Sequence, residues 1–448
     1  MKKPFSLWSR SMSQVFSSAP WGVGVRPLLI TAACAASLTF GGFAAADGYE
    51  PDVVPMQAKN LLPKEVLKGD NYEIVDAVTN RGYMNNYKIK SDFGEFAAMN
   101  DTEALMRTHE IKAIAKLKDM STTGVVADAV VDTTANTVTA VSRAAQNPEE
   151  TVRGIPDGVG RLFKRAKRTT QDVYEKATAD SDGKQGSGES AAETTEEVVE
   201  SVAKQYLGVN SAYRKLAKEL KVDPYTDNTV LRAELERVSK VAGAASFGTN
   251  LLVPLPGVVK LTKNVSDLVW NMSPTDLLLQ NEKQLAEMGA DQKLIKVLFT
   301  NPSYTPAVLT VVVSALQKLG PVPGRLVIVR RAAEVETKQE AYFYTRMAEL
   351  LALYHSTRNP IVRIEDTDRI PLGVAKDGAV LALTPLDYLS WSENTAQAAR
   401  YLNGIVTERK LGNPTTVWVE GRVSSRAKSE LAKLGWQISD RAFDKLGG

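Results

Sequence analysis

The reading of the fold turns on Thr416-Val-Trp-Val-Glu-Gly-Arg-Val-Ser-Ser-Arg-Ala-Lys-Ser-Glu-Leu-Ala-Lys-Leu-Gly-Trp-Gln-Ile438, which reads as strand, tight turn, helix, strand. Ser424 or Ser425 stands where a helix N-cap is wanted, and Gly435 where that helix must stop. A helix N-terminus flanked by Arg422 and Arg426 can hold an anion such as a phosphate or carboxylate. Arg422, Ser424, Ser425 and Arg426 are therefore a candidate anion site, although capping alone also accounts for the serines.

Working back from this stretch, strands are expected at 361–365, 370–375 and 379–384, the last two joined by a turn at Lys376-Asp377-Gly378, with a helix over 393–404. Residues 359–448 thus form a small α/β module. Ahead of Asn359-Pro360 the pattern is helical: 196–207, 210–221, 228–246, 257–271, 275–288, 291–299, 305–319 and one long stretch over 325–356. Residues 198–358 are read as a helical domain on which the module packs.

Upstream, Ala179 to Glu197 has almost nothing to bury and reads as an acidic flexible linker, 179–197. Residues 47–178 open with Tyr72 to Val78 and Tyr83 to Lys90 flanking Asn80-Arg81-Gly82, a hairpin, with Gly94 to Ala98 as a third strand. Asn100 and Asp101 can cap the helix that follows, to about Asp119. The fold class expected is α+β, mainly α with small β elements: an N-terminal hairpin with amphipathic helices, then a helical domain ending in an α/β module.

Two further helices are two-faced. Over Gly124 to Ala145, Val126, Val130, Val138 and Val141 share a face opposite Asp128, Asp132 and Arg143. Over 159–177, Val159, Leu162, Phe163, Ala166, Val173, Tyr174 and Ala177 share an arc of about 120°, and Arg161, Lys164, Arg165, Lys167 and Arg168 fill the rest. This composition suits an anionic lipid surface. The apolar arcs can equally close on each other or on the protein core, leaving the basic side solvated. The candidate membrane- or polyanion-binding residues are Arg161, Leu162, Phe163, Lys164, Arg165, Lys167 and Arg168.

The first 46 residues carry Lys2, Lys3, Arg10 and Arg26 and no acid, then an apolar run from Pro27 ending at Ala44-Ala45-Ala46. These are the parts of a secretory signal peptide; an uncleaved anchor and a lipoprotein acylated at Cys34 are the alternatives. Cleavage after Ala46 removes four of the 55 basic residues and none of the 52 acidic ones, turning a net charge of +3 into −1. It also removes the only Cys. The expected location is the periplasm of a Gram-negative cell, with inner-membrane association.

Chemistry is constrained by the same arithmetic. Zinc wants several Cys or His ligands, and only His109 and His355 are available. His109-Glu110 starts like a zincin motif, but the position four after His109 is Ala113. No metal and no cofactor are expected. An exported chain does not meet nucleic acid, and no aromatic residues interleave with the basic ones except Phe163 on the opposite face. The reading favoured is a non-catalytic envelope protein that engages an anionic membrane surface or an envelope protein through helices at 124–177. The alternative is a periplasmic hydrolase in which His355 is a base oriented by Asp366 or Asp368, although no Gly-x-Ser-x-Gly elbow supplies a nucleophile.

Overall fold

In a computed structural model the chain is described over residues 48–122, 159, 162–163, 195–242 and 263–447. The class is mixed α+β. Alternation builds the N-terminal sheet: Ala77-Val-Thr-Asn-Arg81 buries only Val78 and Asn80, as a strand with one covered face does. Six strands are present, β1 (Val53–Gln57), β2 (Lys68–Gly69), β3 (Tyr72–Ile74), β4 (Ala77–Arg81), β5 (Met84–Ser91) and β6 (Gly94–Ala98). They run β1-β4-β5-β3-β2, with β6 also on β5, and every pairing is antiparallel.

This is wider than the expected hairpin. The run Tyr72 to Val78 breaks after Ile74, so β3 and β4 pair with different halves of β5. The β4–β5 turn is Gly82-Tyr83, with φ of 58° and 70°, a two-residue connection needing positive φ at both central positions. Glycine adopts this freely and tyrosine does not.

Between β1 and β2 lie the one-turn helices α1 (Ala58–Leu61) and α2 (Lys64–Leu67). After β6 comes α3 (Asp101–Thr122), with the Asn100 side chain accepting the Glu103 N–H at 2.7 Å. Then follow α4 (Thr195–Lys204), α5 (Ser211–Leu220), α6 (Thr229–Ala242), α7 (Lys263–Asn271), α8 (Pro274–Glu287), α9 (Gln292–Thr300), α10 (Pro306–Lys318), α11 (Leu326–Ala333) and α12 (Lys338–Thr357). The stretch 325–356, expected to be one helix, is two. Thr337 caps α12 by accepting the Glu340 N–H at 3.2 Å, and Glu340 accepts the Glu336 N–H at 2.8 Å. A Thr-x-x-Glu box of this kind starts a new helix.

The C-terminal sheet holds β7 (Ile361–Glu365), β8 (Leu372–Ala375), β9 (Val380–Thr384), β11 (Thr415–Val419) and β13 (Gln437–Ser439) in the order β13-β11-β9-β8-β7. β9, Val-Leu-Ala-Leu-Thr, is buried at all five positions, the pattern of a strand covered on both faces. β9, β11 and β13 are parallel, linked through α13 (Glu393–Glu408) and α14 (Ser425–Lys433), because parallel strands need a crossover. Beyond the carboxyl ends of β9 and β11 the short strands β10 (Tyr388–Leu389) and β12 (Arg422–Val423) pair, and α15 (Ala442–Leu446) ends the fold.

The described residues all belong to one compact unit, Ala45–Gly448. Tyr83 and Met84 of the N-terminal turn share a core with α8 to α12 and the C-terminal sheet. The leader 1–46, the 124–145 helix and residues 179–194 of the expected linker lie outside the described residues, and Thr195-Glu196-Glu197 form the first turn of α4. No helix among the described residues is long and apolar enough to cross a membrane.

Candidate functional site

The carboxyl ends of parallel strands are where open α/β sheets gather polar side chains, and here those ends receive the N-terminal turn. The Tyr83 carbonyl accepts the N–H groups of Asp387 and Tyr388 at 3.1 and 3.2 Å. Its hydroxyl accepts from Thr395 Oγ1 at 3.0 Å. These three contacts hold the tyrosine at positive φ. Gly421 is required opposite: a Cβ there would sit 2.0 Å from the Asp387 carbonyl oxygen.

Asp387, which is buried, accepts the Asn85 N–H at 2.7 Å and the Asp101 N–H at 3.3 Å. Its carboxyl thus sits at the N-terminus of α3. The Asp101 carboxyl accepts from Asn85 Nδ2 at 2.7 Å and from the Tyr87 hydroxyl at 2.5 Å. Burial, and then the facing charges of Asp101 and Glu420, push Asp387 well above the usual carboxylate range. Burial raises Asp101 too, against the hydrogen bonds from Tyr87 and Asn85. Glu420 completes the group: its Oε1 accepts from Arg346 at 2.6 Å and from the Tyr342 hydroxyl at 3.3 Å. Each of the two carboxyls takes its hydrogen bonds from uncharged donors only, so burial wins over hydrogen bonding at both. No group of His, Cys, Asp and Glu that could hold a metal ion occurs among the described residues.

The residues singled out from sequence are placed as follows. His355 sits half-buried at the end of α12, and its Nδ1 accepts the Ile361 N–H at 3.0 Å. Asp366 and Asp368 are brought together by Arg331, at 2.5 and 3.3 Å. His109 is buried; its Nε2 is 2.9 Å from the Leu220 carbonyl, closing the end of α5. Beside it Glu110 accepts from Arg107, Thr226 and Asn228 and fastens the loop Val222–Asn228 to α3.

At the α14 N-terminus, Ser424 is the cap and accepts the Ala427 N–H at 2.9 Å. The expected anion position is filled from within, since Glu50 accepts from the Ser424 hydroxyl and the Trp391 N–H, both at 2.5 Å. Arg426 lies against Gly48, and Arg422 faces Asp101. Ser425 opens the helix as its first residue.

Of the basic segment, Val159, Leu162 and Phe163 are described, and Leu162 and Phe163, candidates for either lipid or the protein core, are 1% and 5% exposed within the main core. Phe163 packs on Tyr83 at 4.8 Å and Phe343 at 6.3 Å between ring centroids. Arg369 donates to the Phe163 carbonyl while stacking on Tyr401. Phe163 also lines an apolar cavity of about 30 Å³ with Ile370, Ala382, Leu402 and Val417. The physical reason is that large apolar groups are taken up by the protein's own core where one is in reach. Arg161, Lys164, Arg165, Lys167 and Arg168 lie outside the described residues.

No family model, curated protein or solved structure matches this chain.

Sequence reasoning missed Glu50 and the Asp101–Asp387 pair. Glu50 follows Asp47-Gly-Tyr in a stretch with no periodicity, and 52 acidic residues cannot be paired in one dimension. The available signal was Gly82-Tyr83, a turn with an aromatic residue where a polar one is usual.

Proposed function

We propose that the protein is a non-catalytic envelope protein, exported to the periplasm, that engages an anionic membrane surface through the basic segment Arg161, Lys164, Arg165, Lys167 and Arg168, carried by a helical body with an α/β module. The observation supporting this reading is the burial of Val159, Leu162 and Phe163 in the main core. With Val159, Leu162 and Phe163 taken up by the protein, the five cations of the segment are the chemistry proposed to meet a partner. Such a surface binds by charge, at about 1 kcal/mol for each Lys or Arg near an anionic headgroup layer. It is correspondingly sensitive to salt.

The test is sedimentation of the mature protein with phosphatidylglycerol vesicles, with phosphatidylcholine vesicles as control. Binding to the anionic vesicles alone, lost in high salt and reduced at least about tenfold when all five cations become Gln, is the expected result. Equal binding of the five-fold variant overturns the membrane reading.

A further inference from the structure

We propose that residues 48–52 form a docked arm that shields the leader-processing site: the Ala46–Asp47 bond is cut only while the arm is off the C-terminal module, and a chain that folds first keeps its leader. The geometry carries it. Gly48 lies against the Arg426 guanidinium. Tyr49 packs on the main core, and its hydroxyl accepts from Arg400 Nη2 at 3.2 Å. Glu50 is bound to Trp391 twice, its N–H donating to the Trp391 carbonyl at 2.8 Å and its carboxylate accepting the Trp391 N–H at 2.5 Å. The same carboxylate oxygen accepts from Ser424 at the start of α14, and Asp52 accepts from Asn394 on α13 at 3.4 Å. The partners thus come from the loop after β10, from α13 and from α14.

A leader peptidase reads several residues on each side of the bond it cuts as extended, unpaired chain. On the carboxyl side of Ala46–Asp47 those residues are Asp47, Gly48, Tyr49 and Glu50. Only Asp47 stands between the bond and the arm, a reach of about 7 Å in extended chain. That is too short for the bond to enter a protease cleft while Gly48, Tyr49 and Glu50 stay half-buried on the module. Tyr49 and Glu50 cannot serve both surfaces at once. Cleavage of the folded precursor therefore follows the fraction of time the arm is undocked. Before α13 and α14 are in place the arm has nothing to dock on, and the bond is open. The order of the two events sets the fate of the chain: cleavage first releases the protein, and docking first leaves it attached to its leader. This inference rests on the export reading above, and within it on the leader, not on the basic segment.

The test presents the full-length precursor to a bacterial leader peptidase in detergent micelles in two ways, folded and freshly diluted from urea, with mass spectrometry reading the chain that begins at Asp47. The folded precursor should be cut at least about tenfold more slowly than the diluted one. Ser424→Ala combined with Arg400→Ala removes two anchors on the module and leaves residues 44–52 unaltered for the peptidase. In this variant, shown by circular dichroism to be folded, the ratio of the two rates should fall at least about fivefold. A folded precursor cut as fast as the diluted one overturns the proposal. So does an unchanged ratio in the folded double variant, or in Glu50→Ala where the double variant does not fold. A precursor left whole in both presentations overturns the leader reading instead, and the inference falls with it.

Discussion

Glu50 and Ser424 are 374 residues apart and share a hydrogen bond of 2.5 Å, the hydroxyl donating and the carboxylate accepting. The same carboxylate oxygen accepts the Trp391 N–H, and the Glu50 N–H donates to the Trp391 carbonyl. The N-terminal arm is thereby fixed to the start of α14, and the helix dipole finds its anion within the chain. Glu50→Ala should cost about 1–2 kcal/mol of stability, because two donors lose a charged acceptor. Glu50→Gln should cost less. Denaturant unfolding of the two variants checks the order, and equal stability of Glu50→Ala and wild type would remove the arm from the account.

Phe163 is a plug between Tyr83, Phe343 and a small apolar cavity. Truncation to Ala leaves a void that rigid neighbours cannot fill, and should destabilise by about 3–5 kcal/mol. Urea midpoints of Phe163→Ala and the wild type, measured side by side, check the size of the loss, and equal midpoints would remove Phe163 from the core account.

Arg107 is 8% exposed at its side chain and pairs with Glu110 at 2.6 Å, Asp227 at 2.9 Å and Glu103 at 3.1 Å. Removing it strands buried carboxylates, so Arg107→Met should cost about 3–5 kcal/mol. Burial pushes Asp227 up, but Arg107 and Lys338 outweigh this and hold it at about 2. Its contribution to stability is present above the unfolded carboxylate range and is lost as pH falls through about 2. In Arg107→Met the loss on acidification should begin at higher pH, readable in an acid titration followed by circular dichroism.

Asp223 has the opposite sign. Burial, reinforced by Glu110 and Asp227 against the hydrogen bond from the Tyr225 N–H, pushes it up to about 7. A group raised in the folded state stabilises fully below its unfolded value and loses that contribution as pH rises through the folded one. The melting temperature should therefore decline between about pH 4 and 7 as far as Asp223 sets it, and Asp223→Asn, which keeps an acceptor for the Tyr225 N–H, should flatten that decline. An identical slope in the variant would assign the decline to other groups.

Gly421 faces the Asp387 carbonyl so closely that a methyl group must displace backbone. Gly421→Ala should lower stability by about 1–3 kcal/mol. It should also weaken protection of the Asp387 amide. A melting curve and the exchange rate of that amide are the measurements.

Local chemistry was read well where it is self-contained. Ser424 caps α14 and Gly435 follows it at φ 78°; Asn100 starts α3 where expected. A cap and its partner lie three residues apart, so adjacent letters suffice. The division of 325–356 is carried in the same way by Thr337 and Glu340, but apolar periodicity continues across the break and hides it.

The arcs of 159–177 show the limit of periodicity. It identifies which residues share a face, and Leu162 and Phe163 do leave water as an apolar arc must. It says nothing of what covers that face. Lipid and core are equally apolar, and the sequence treats them alike.

By itself, then, the sequence determined the strand-helix-strand ending, the positions of caps and turns, and the poverty of metal ligands, all of which depend on residue type and near neighbours. Only the tertiary structure decided that Glu50 occupies the anion position of α14, that Asp101 meets Asp387, that His109 closes the end of α5 while Glu110 fastens the loop Val222–Asn228, and that Phe163 faces Tyr83. Each of these joins residues more than 75 positions apart, or, for Asp101 and Asp387, 286 apart. Such pairs are selected by which surfaces fit when the chain collapses, and the energy of a buried charge or ring depends on the partner that arrives, which no local pattern encodes.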